Sequence, residues 1–322
     1  MYLCARRLKG KMAIKKILVR APNWIGDAVM CLPALESLKA LYPSSEIYLL
    51  AKPSVVPVFE NNPALTGFIL IEGSRHRGFF GTLRLSRDMR SRGFDLAVLF
   101  QNAFGAALVS FLAGIKERVG YARDMRSALL TKAVPVSAEI KKKHQVFYYL
   151  NIIKALGAKM PENPVPKIYI TATEAASARA FLEREGLSGK PVFGVAPGAA
   201  FGPAKRWPVE RFASVLKGLV DEYKGGALVF GGPDDKEACA GVKAAHPASI
   251  SAQQTAGDGV AAFLTQHPHV QAFVAEDGRE GVVQHVEAAG VGAKSRQHET
   301  QPVAHEAGAA QARAMHDETG RG

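Results

Sequence analysis

Through residue 240 the chain repeats one unit, in which a short run of consecutive apolar residues is followed by a longer segment with apolar residues at helical spacing. Runs of that length, apolar at successive positions, read as strands buried on both faces, and strands alternating with helices assemble a mostly parallel sheet covered on both sides. The strand-like runs are Ile17–Arg20, Glu46–Ala51, Phe68–Ile71 and Phe94–Phe100. Between and after them fall helical patterns at Ala28–Leu41, stopped by Pro43, at Gly81–Arg92 with a basic face, and at Lys141–Leu156, ending at Gly157. Three prolines within Lys159–Lys167 suit an extended crossing between domains. The alternation then restarts with a helix at Thr173–Glu185, a strand at Val192–Ala196, a helix at Val209–Tyr223 and a strand at Ala227–Phe230. The expected class is α/β with two similar domains, which suits 322 residues at roughly 150 per domain.

The pattern fails after residue 240. The last 82 residues hold one leucine (Leu264) and one isoleucine (Ile250) against 26 leucines before them, yet 7 of the 9 histidines and 8 of the 10 glutamines. Too few large aliphatics remain to offset the entropy of ordering such a segment, so 241–322 reads as an aberrant or disordered stretch, and a lost coding frame near residue 240 is one origin for it. A metal tract built on His267 and His269, or on His298 and His305, is disfavoured because those histidines lack close carboxylate or cysteine partners.

The charge follows the same division. Residues 241–322 hold 6 Lys/Arg and 9 Asp/Glu, a net −3 within an overall +12, which leaves +15 on residues 1–240. A surface of that sign attracts polyanions, whether phosphorylated sugars, anionic lipid or nucleic acid. Nothing favours nucleic acid, since basic and aromatic residues do not interleave. Three cysteines (Cys4, Cys31, Cys239) without a C-x-x-C pair exclude a disulfide framework and a Cys-rich zinc site, and point to the cytoplasm. The start is basic but lacks the apolar core of a secretory signal; residues 1–12 read as a basic extension ahead of the first strand. Leu96–Ile115 carries no charge, yet Gln101 and Asn102 divide it into a strand and a short helix rather than a membrane span.

Four segments carry chemistry. Ala21–Pro33 (APNWIGDAVMCLP) follows the first strand, and the carboxyl ends of parallel strands are where such sheets take ligands. Gly26 allows the turn and Asp27 opens the helix, either as a carboxylate beside the cleft or as an N-cap. In Gly194–Pro208 (GVAPGAAFGPAKRWP) a strand runs into a loop with Gly198, Gly202, Lys205 and Arg206, and Pro208 suits the first position of the next helix. Backbone amides, a helix N-terminus and a cation make a phosphate site there, with a solvated surface turn as the competing reading. Phe230–Glu237 (FGGPDDKE) offers Asp234 and Asp235 as metal ligands near a sugar-nucleotide's phosphates or, the favoured reading, Asp234 and Glu237 as a capping box. In Lys116–Arg126 (KERVGYARDMR), Arg118, Arg123 and Arg126 either face an anionic substrate or are solvated charge.

The segments APNWIGDAVMCLPAL, ERVGYARDMRSALLT, HQVFYYLNIIKALG and, most specifically, PGAAFGPAKRWP resemble glycosyltransferase family 9, the heptosyltransferases, nearest to the ADP-heptose:lipopolysaccharide heptosyltransferase II type, over about residues 13–240. The resemblance implies a GT-B arrangement of two Rossmann-like domains. Residues 13–160 form the acceptor domain, 161–188 the linker and first helix, and 189–240 an incomplete donor domain ahead of the aberrant 241–322. The implied reaction is inverting transfer of heptose from ADP-heptose to the lipid A-linked inner-core oligosaccharide at the cytoplasmic membrane surface, peripheral to the inner membrane. The aspartate of the family's W-[IV]-G-D turn falls on Asp27 as general base, and the lysine of G-P-A-K-R-W-P falls on Lys205, which holds the donor diphosphate with Gly198 and Gly202 in its loop. Asn23, Trp24, Arg118, Arg123 and Arg126 fall on the acceptor side. No metal and no cofactor is demanded, ADP-heptose being the donor substrate. The family's D-[ST]-G-x-x-H segment has no counterpart after residue 240, from which a catalytically defective chain is expected. The alternative is a polyanion-binding protein of this fold without turnover.

Overall fold

The computed structural model describes residues 14–198, 207–251 and 270–273. Its first half is one six-stranded sheet. The strands β1 (Lys16–Arg20), β2 (Glu46–Ala51), β3 (Gly67–Leu70), β4 (Leu96–Leu99), β5 (Glu117–Tyr121) and β6 (Lys132–Val134) lie in the order β3-β2-β1-β4-β5-β6. Every neighbouring pair is parallel, with Ile17 opposite Ile47 on one side and Leu96 on the other. This doubly wound order reverses between β1 and β4, and at such a reversal the loops beyond the strands' carboxyl ends part to form a crevice.

Period-2 alternation sends the strands into two apolar layers. Ile17 and Val19 join the layer under α1 (Ile25–Met30), α2 (Leu32–Leu41) and α6 (Gln145–Leu156). Leu18, Leu50, Ala97 and Leu99 point the other way, to Leu85 and Met89 of α3 (Gly78–Arg92) and Ala107 and Val109 of α4 (Phe104–Leu112). The uncharged stretch 96–115 is thus β4 and α4, as its Gln101-Asn102 break foretells. Among the described residues no helix is long and apolar enough to cross a membrane.

Two expected helices are each divided. Ala28–Leu41 breaks at Cys31 because Pro33 has no N–H to give Val29, so α2 restarts with proline in its first turn. Lys141–Leu156 breaks after α5 (Ala138–Lys142), and His144 caps α6 by accepting from the Val146 amide. Strands β5 and β6 replace the supposed surface run around Lys116–Arg126, where charges at Glu117, Arg118 and Lys132 obscure the strand signal.

Residues 158–171 hold neither helix nor strand. They lead into α7 (Ala172–Arg184), whose start carries a capping box between Thr171 and Glu174. The second sheet orders β7 (Val192–Val195), β8 (Gly226–Val229), β9 (Ile250–Ser251) and β10 (Val270–Phe273) as β10-β7-β8-β9, all parallel, with α8 (Val209–Tyr223) and α9 (Lys236–Ala245) alongside. Ordered structure therefore passes the expected limit at residue 240: Val242 on α9 is fully buried with Phe212 and Val229, and Ser249 is buried just before β9. The apolar face of α9, continuous from Cys239 to Val242, supplies the reason.

Candidate functional site

The first loop beyond β1 positions Asp27. The helix α1 is capped by Trp24 in extended conformation with no side-chain cap bond, so Asp27 lies inside the first turn and is not the N-cap. Its carboxylate is bound from α6, across the crevice side of the sheet. The Tyr149 hydroxyl donates to Asp27 Oδ1 at 2.9 Å, and Gln145 Nε2 donates to the same oxygen at 3.4 Å. Gln145 and Tyr149 are four residues apart and share one face of α6. Burial, then the charge of Asp27, pushes the Tyr149 phenol well above its usual range, so it remains a donor at any working pH. The ring is pinned edge-on against Phe100 at 5.5 Å and Tyr148 at 5.7 Å. Among the described residues no donor reaches Oδ2, which stays available to a substrate hydroxyl.

Arg20, the last residue of β1, is buried at the same edge. It donates to the carbonyls of Ala21 and Leu50 and, through Nη2, to Asn23 Oδ1 at 2.8 Å. Burial lowers its guanidinium to about 10. Asn23 is thereby held in place, while Trp24 beside it is half exposed.

The three candidate arginines separate. Arg118 points away from the crevice and donates to the carbonyls of Leu129 at 2.6 Å and Ile115, and its guanidinium stacks 5.3 Å from the Phe111 ring. Arg126 is 0% exposed; it donates to the carbonyls of Tyr121 and Gln101 and to Asn102 Oδ1, and burial lowers it to about 10. The donors of Arg118 and Arg126 serve the chain's own carbonyls and Asn102, which speaks against the expectation that these two arginines bind the acceptor. Arg126 nevertheless shapes the crevice. It ties the β5 end to Asn102 after β4, and Asn102 donates on to the Tyr148 hydroxyl at 2.9 Å. Arg123 alone of the three is exposed.

Beyond β7 of the second sheet, Gly198 lies in tight contact with Asp235, where a Cβ would fall 1.9 Å from the carboxylate. Asp235 accepts from the Gly232 amide at 2.9 Å, closing the turn Gly232–Asp235 ahead of α9, so that Asp235 rather than the pair Asp234 and Glu237 makes the capping contact. Gly202, Lys205 and Arg206 lie outside the described residues, as do His267, His269, His298 and His305.

The profile of glycosyltransferase family 9 (heptosyltransferase) matches residues 82–277. The chain belongs to glycosyltransferase family 9. The match passes residue 240, so the resemblance extends further than the motifs alone reveal. Over 229 residues the chain is 31% identical to lipopolysaccharide heptosyltransferase 2 of Escherichia coli, covering 69% of this chain and 65% of that one. Over 239 residues it is 29% identical to lipooligosaccharide heptosyltransferase 2 of Haemophilus influenzae, covering 73% and 68%. The chain thus spans about two thirds of the length of these family 9 relatives. Among solved structures, the ADP-heptose lps heptosyltransferase II of Escherichia coli superposes with a TM-score of 0.66 at 27% identity, over 80% of this chain and 78% of that one. A family 9 glycosyl transferase from Veillonella parvula superposes with a TM-score of 0.70 at 24% identity, covering 80% and 74%, and attests the fold.

Tyr149, Gln145 and Arg20 join the candidate site through their bonds to Asp27 and Asn23, and motif reading does not single them out. The i, i+4 spacing of Gln145 and Tyr149 in HQVFYYLNIIKALG is the signal that two polar groups share a face.

Proposed function

We propose that this family 9 chain transfers heptose from ADP-heptose to the inner core of lipopolysaccharide, with inversion, at the cytoplasmic face of the inner membrane. The observation that carries the reading is the Asp27 carboxylate at the β1–β4 reversal, oriented through Oδ1 by Tyr149 and with Oδ2 free of donors among the described residues. Inverting transfer requires such a group: a carboxylate takes the acceptor hydroxyl's proton as that oxygen attacks the anomeric carbon and ADP leaves from the opposite face. Lys205, in the loop that begins at Gly198 and includes Gly202, offsets the charge that develops on the departing diphosphate. Asn23, Trp24 and Arg123 meet the acceptor, residues 13–160 forming its domain and the second sheet that of the donor. The family resemblance of the relatives named above supports the substrate pair.

The test is ADP release from ADP-heptose with a core acceptor. Acceptor-dependent ADP, largely lost in Asp27→Ala, is the expected result, in place of the defective chain that the sequence motifs alone imply, because the family match continues past residue 240 to residue 277. The donor side is where the sequence departs from the family, through the missing D-[ST]-G-x-x-H. Tight acceptor binding with no ADP formed would therefore leave the polyanion-binding alternative standing.

A further inference from the structure

The segment from Ser74 to Arg92, SRHRGFFGTLRLSRDMRSR, joins two features that soluble surfaces rarely combine. Phe79 and Phe80, in the first turn of α3, are 70% and 82% exposed, and their rings meet edge to face at 5.7 Å. The segment also carries six exposed arginines, Arg75, Arg77, Arg84 and Arg87 toward the rings and Arg90 and Arg92 in the last turn of α3, against one acid, Asp88. Among the described residues none of the six pairs with a carboxylate.

The geometry is fixed by the inner side of the helix. Gly81, Leu85, Ser86 and Met89 face the sheet. The outer side therefore carries Phe80, Arg84 and Arg87 at i, i+4 and i+7. The phenylalanines are held outward by a tight loop: a Cβ on Gly81 would fall 2.3 Å from the His76 carbonyl carbon, so only glycine lets residues 73–77 pack against the helix start. Because α3 runs back from the end of β3, its first turn lies at the carboxyl edge of the parallel sheet. The loops carrying Asp27, exposed Ile25 and Met125, which is 93% exposed, open at the same edge.

We infer that the outer face of α3, led by Phe79 and Phe80, docks on an anionic lipid bilayer. Aromatic rings insert at the headgroup boundary while arginines pair with lipid phosphates and acidic headgroups. A purely polyanionic partner leaves two adjacent phenylalanines in water, and a purely apolar one leaves six cations unmatched. This orientation brings the edge with Asp27 to the lipid. It deepens the proposed function, for it supplies the surface by which the chain meets a lipid-linked acceptor.

The test is co-sedimentation of the full chain with vesicles free of any acceptor. One set is phosphatidylcholine alone, the other equal parts phosphatidylcholine and phosphatidylglycerol. Binding to the second set only, weakening as salt rises, is expected, since exposed charge is screened over about 8 Å at physiological ionic strength. Phe79→Ser with Phe80→Ser should weaken binding about tenfold or more at unchanged charge. Arg84→Gln with Arg87→Gln should weaken it about thirtyfold, each basic side chain at an anionic surface being worth about fivefold. All four side chains are exposed, so circular dichroism and melting should match the parent chain. No binding to the anionic vesicles overturns the inference, and so does undiminished binding by the Phe79→Ser, Phe80→Ser variant, which would mark a general polyanion site of the kind RNA or heparin fills. Vesicle binding without any transfer activity would sink the proposed reaction and leave the docking surface intact.

Discussion

Tyr149→Phe removes one oxygen and little else. The ring is 4% exposed and wedged between Phe100 and Tyr148, so phenylalanine keeps the packing, and the loss is the 2.9 Å bond to Asp27 Oδ1. A hydrogen bond to a charged group contributes about 1.5–3 kcal/mol. Asp27 is partly exposed, water replaces some of that, and the lower end applies: about 1.5 kcal/mol, or roughly tenfold in rate if all of it serves to aim the base. The Gln145 bond to the same oxygen keeps part of the carboxylate's aim, which reduces the figure. The net expectation is a loss of about three- to tenfold in kcat. Steady-state ADP release measures it, with KM for ADP-heptose unchanged because Tyr149 packs on the first sheet, the half proposed to take the acceptor. The decisive comparison is the double variant. On an Asp27→Ala background Tyr149→Phe should cost nothing further, since there is no carboxylate left to aim. Equal or faster turnover by Tyr149→Phe, or the same loss on both backgrounds, would refute the reasoning.

Lys205→Ala should weaken ADP-heptose binding by about 1.5–3 kcal/mol, the worth of a charge-assisted bond, with acceptor binding unchanged by calorimetry. The arginines should divide by role. Arg123→Ala should lower affinity for a phosphorylated acceptor but not for its dephosphorylated form, whereas Arg126→Met should lower urea stability by about 2 kcal/mol because buried acceptors on Tyr121, Gln101 and Asn102 lose their donor. Tyr121 gives a pH signature. Burial raises its phenol to about 12 from an ordinary value of 10, so the folded state keeps a proton that the unfolded state sheds, and the contribution is complete below pH 10 and lost as pH rises to about 12. The stability gap between the parent chain and Tyr121→Phe should therefore narrow across that window in urea titrations followed by circular dichroism.

The two α/β halves are legible because each rests on local apolar patterning: Ile17–Arg20 and Val192–Ala196 are strands on any reading, and observed bounds differ by a residue at most. What escapes is what depends on distant partners. Strand β5 hides in a charged run because Arg118 can lie in a strand only by turning its guanidinium onto the carbonyls of Ile115 and Leu129. Arg126 resembles surface charge in sequence, yet it is buried because three acceptors from two loops converge on it. The role of Asp27 is open in the sequence between cap and base; Trp24 takes the N-cap position, and the Tyr149 hydroxyl that holds the carboxylate comes from 122 residues away. Past residue 240 the scarcity of aliphatics conceals the end of α9, β9 and β10; among the described residues there, Val242 is the fully buried aliphatic that anchors α9.

The central claim is that Asp27 is the base of a heptose transfer, and single-turnover ADP release with saturating ADP-heptose and core acceptor tests it most directly. The account predicts acceptor-dependent ADP from the parent chain, and a rate about 10²- to 10⁴-fold lower in Asp27→Ala with donor affinity kept. Equal rates in the two chains, or no acceptor-dependent ADP from the parent, would contradict it.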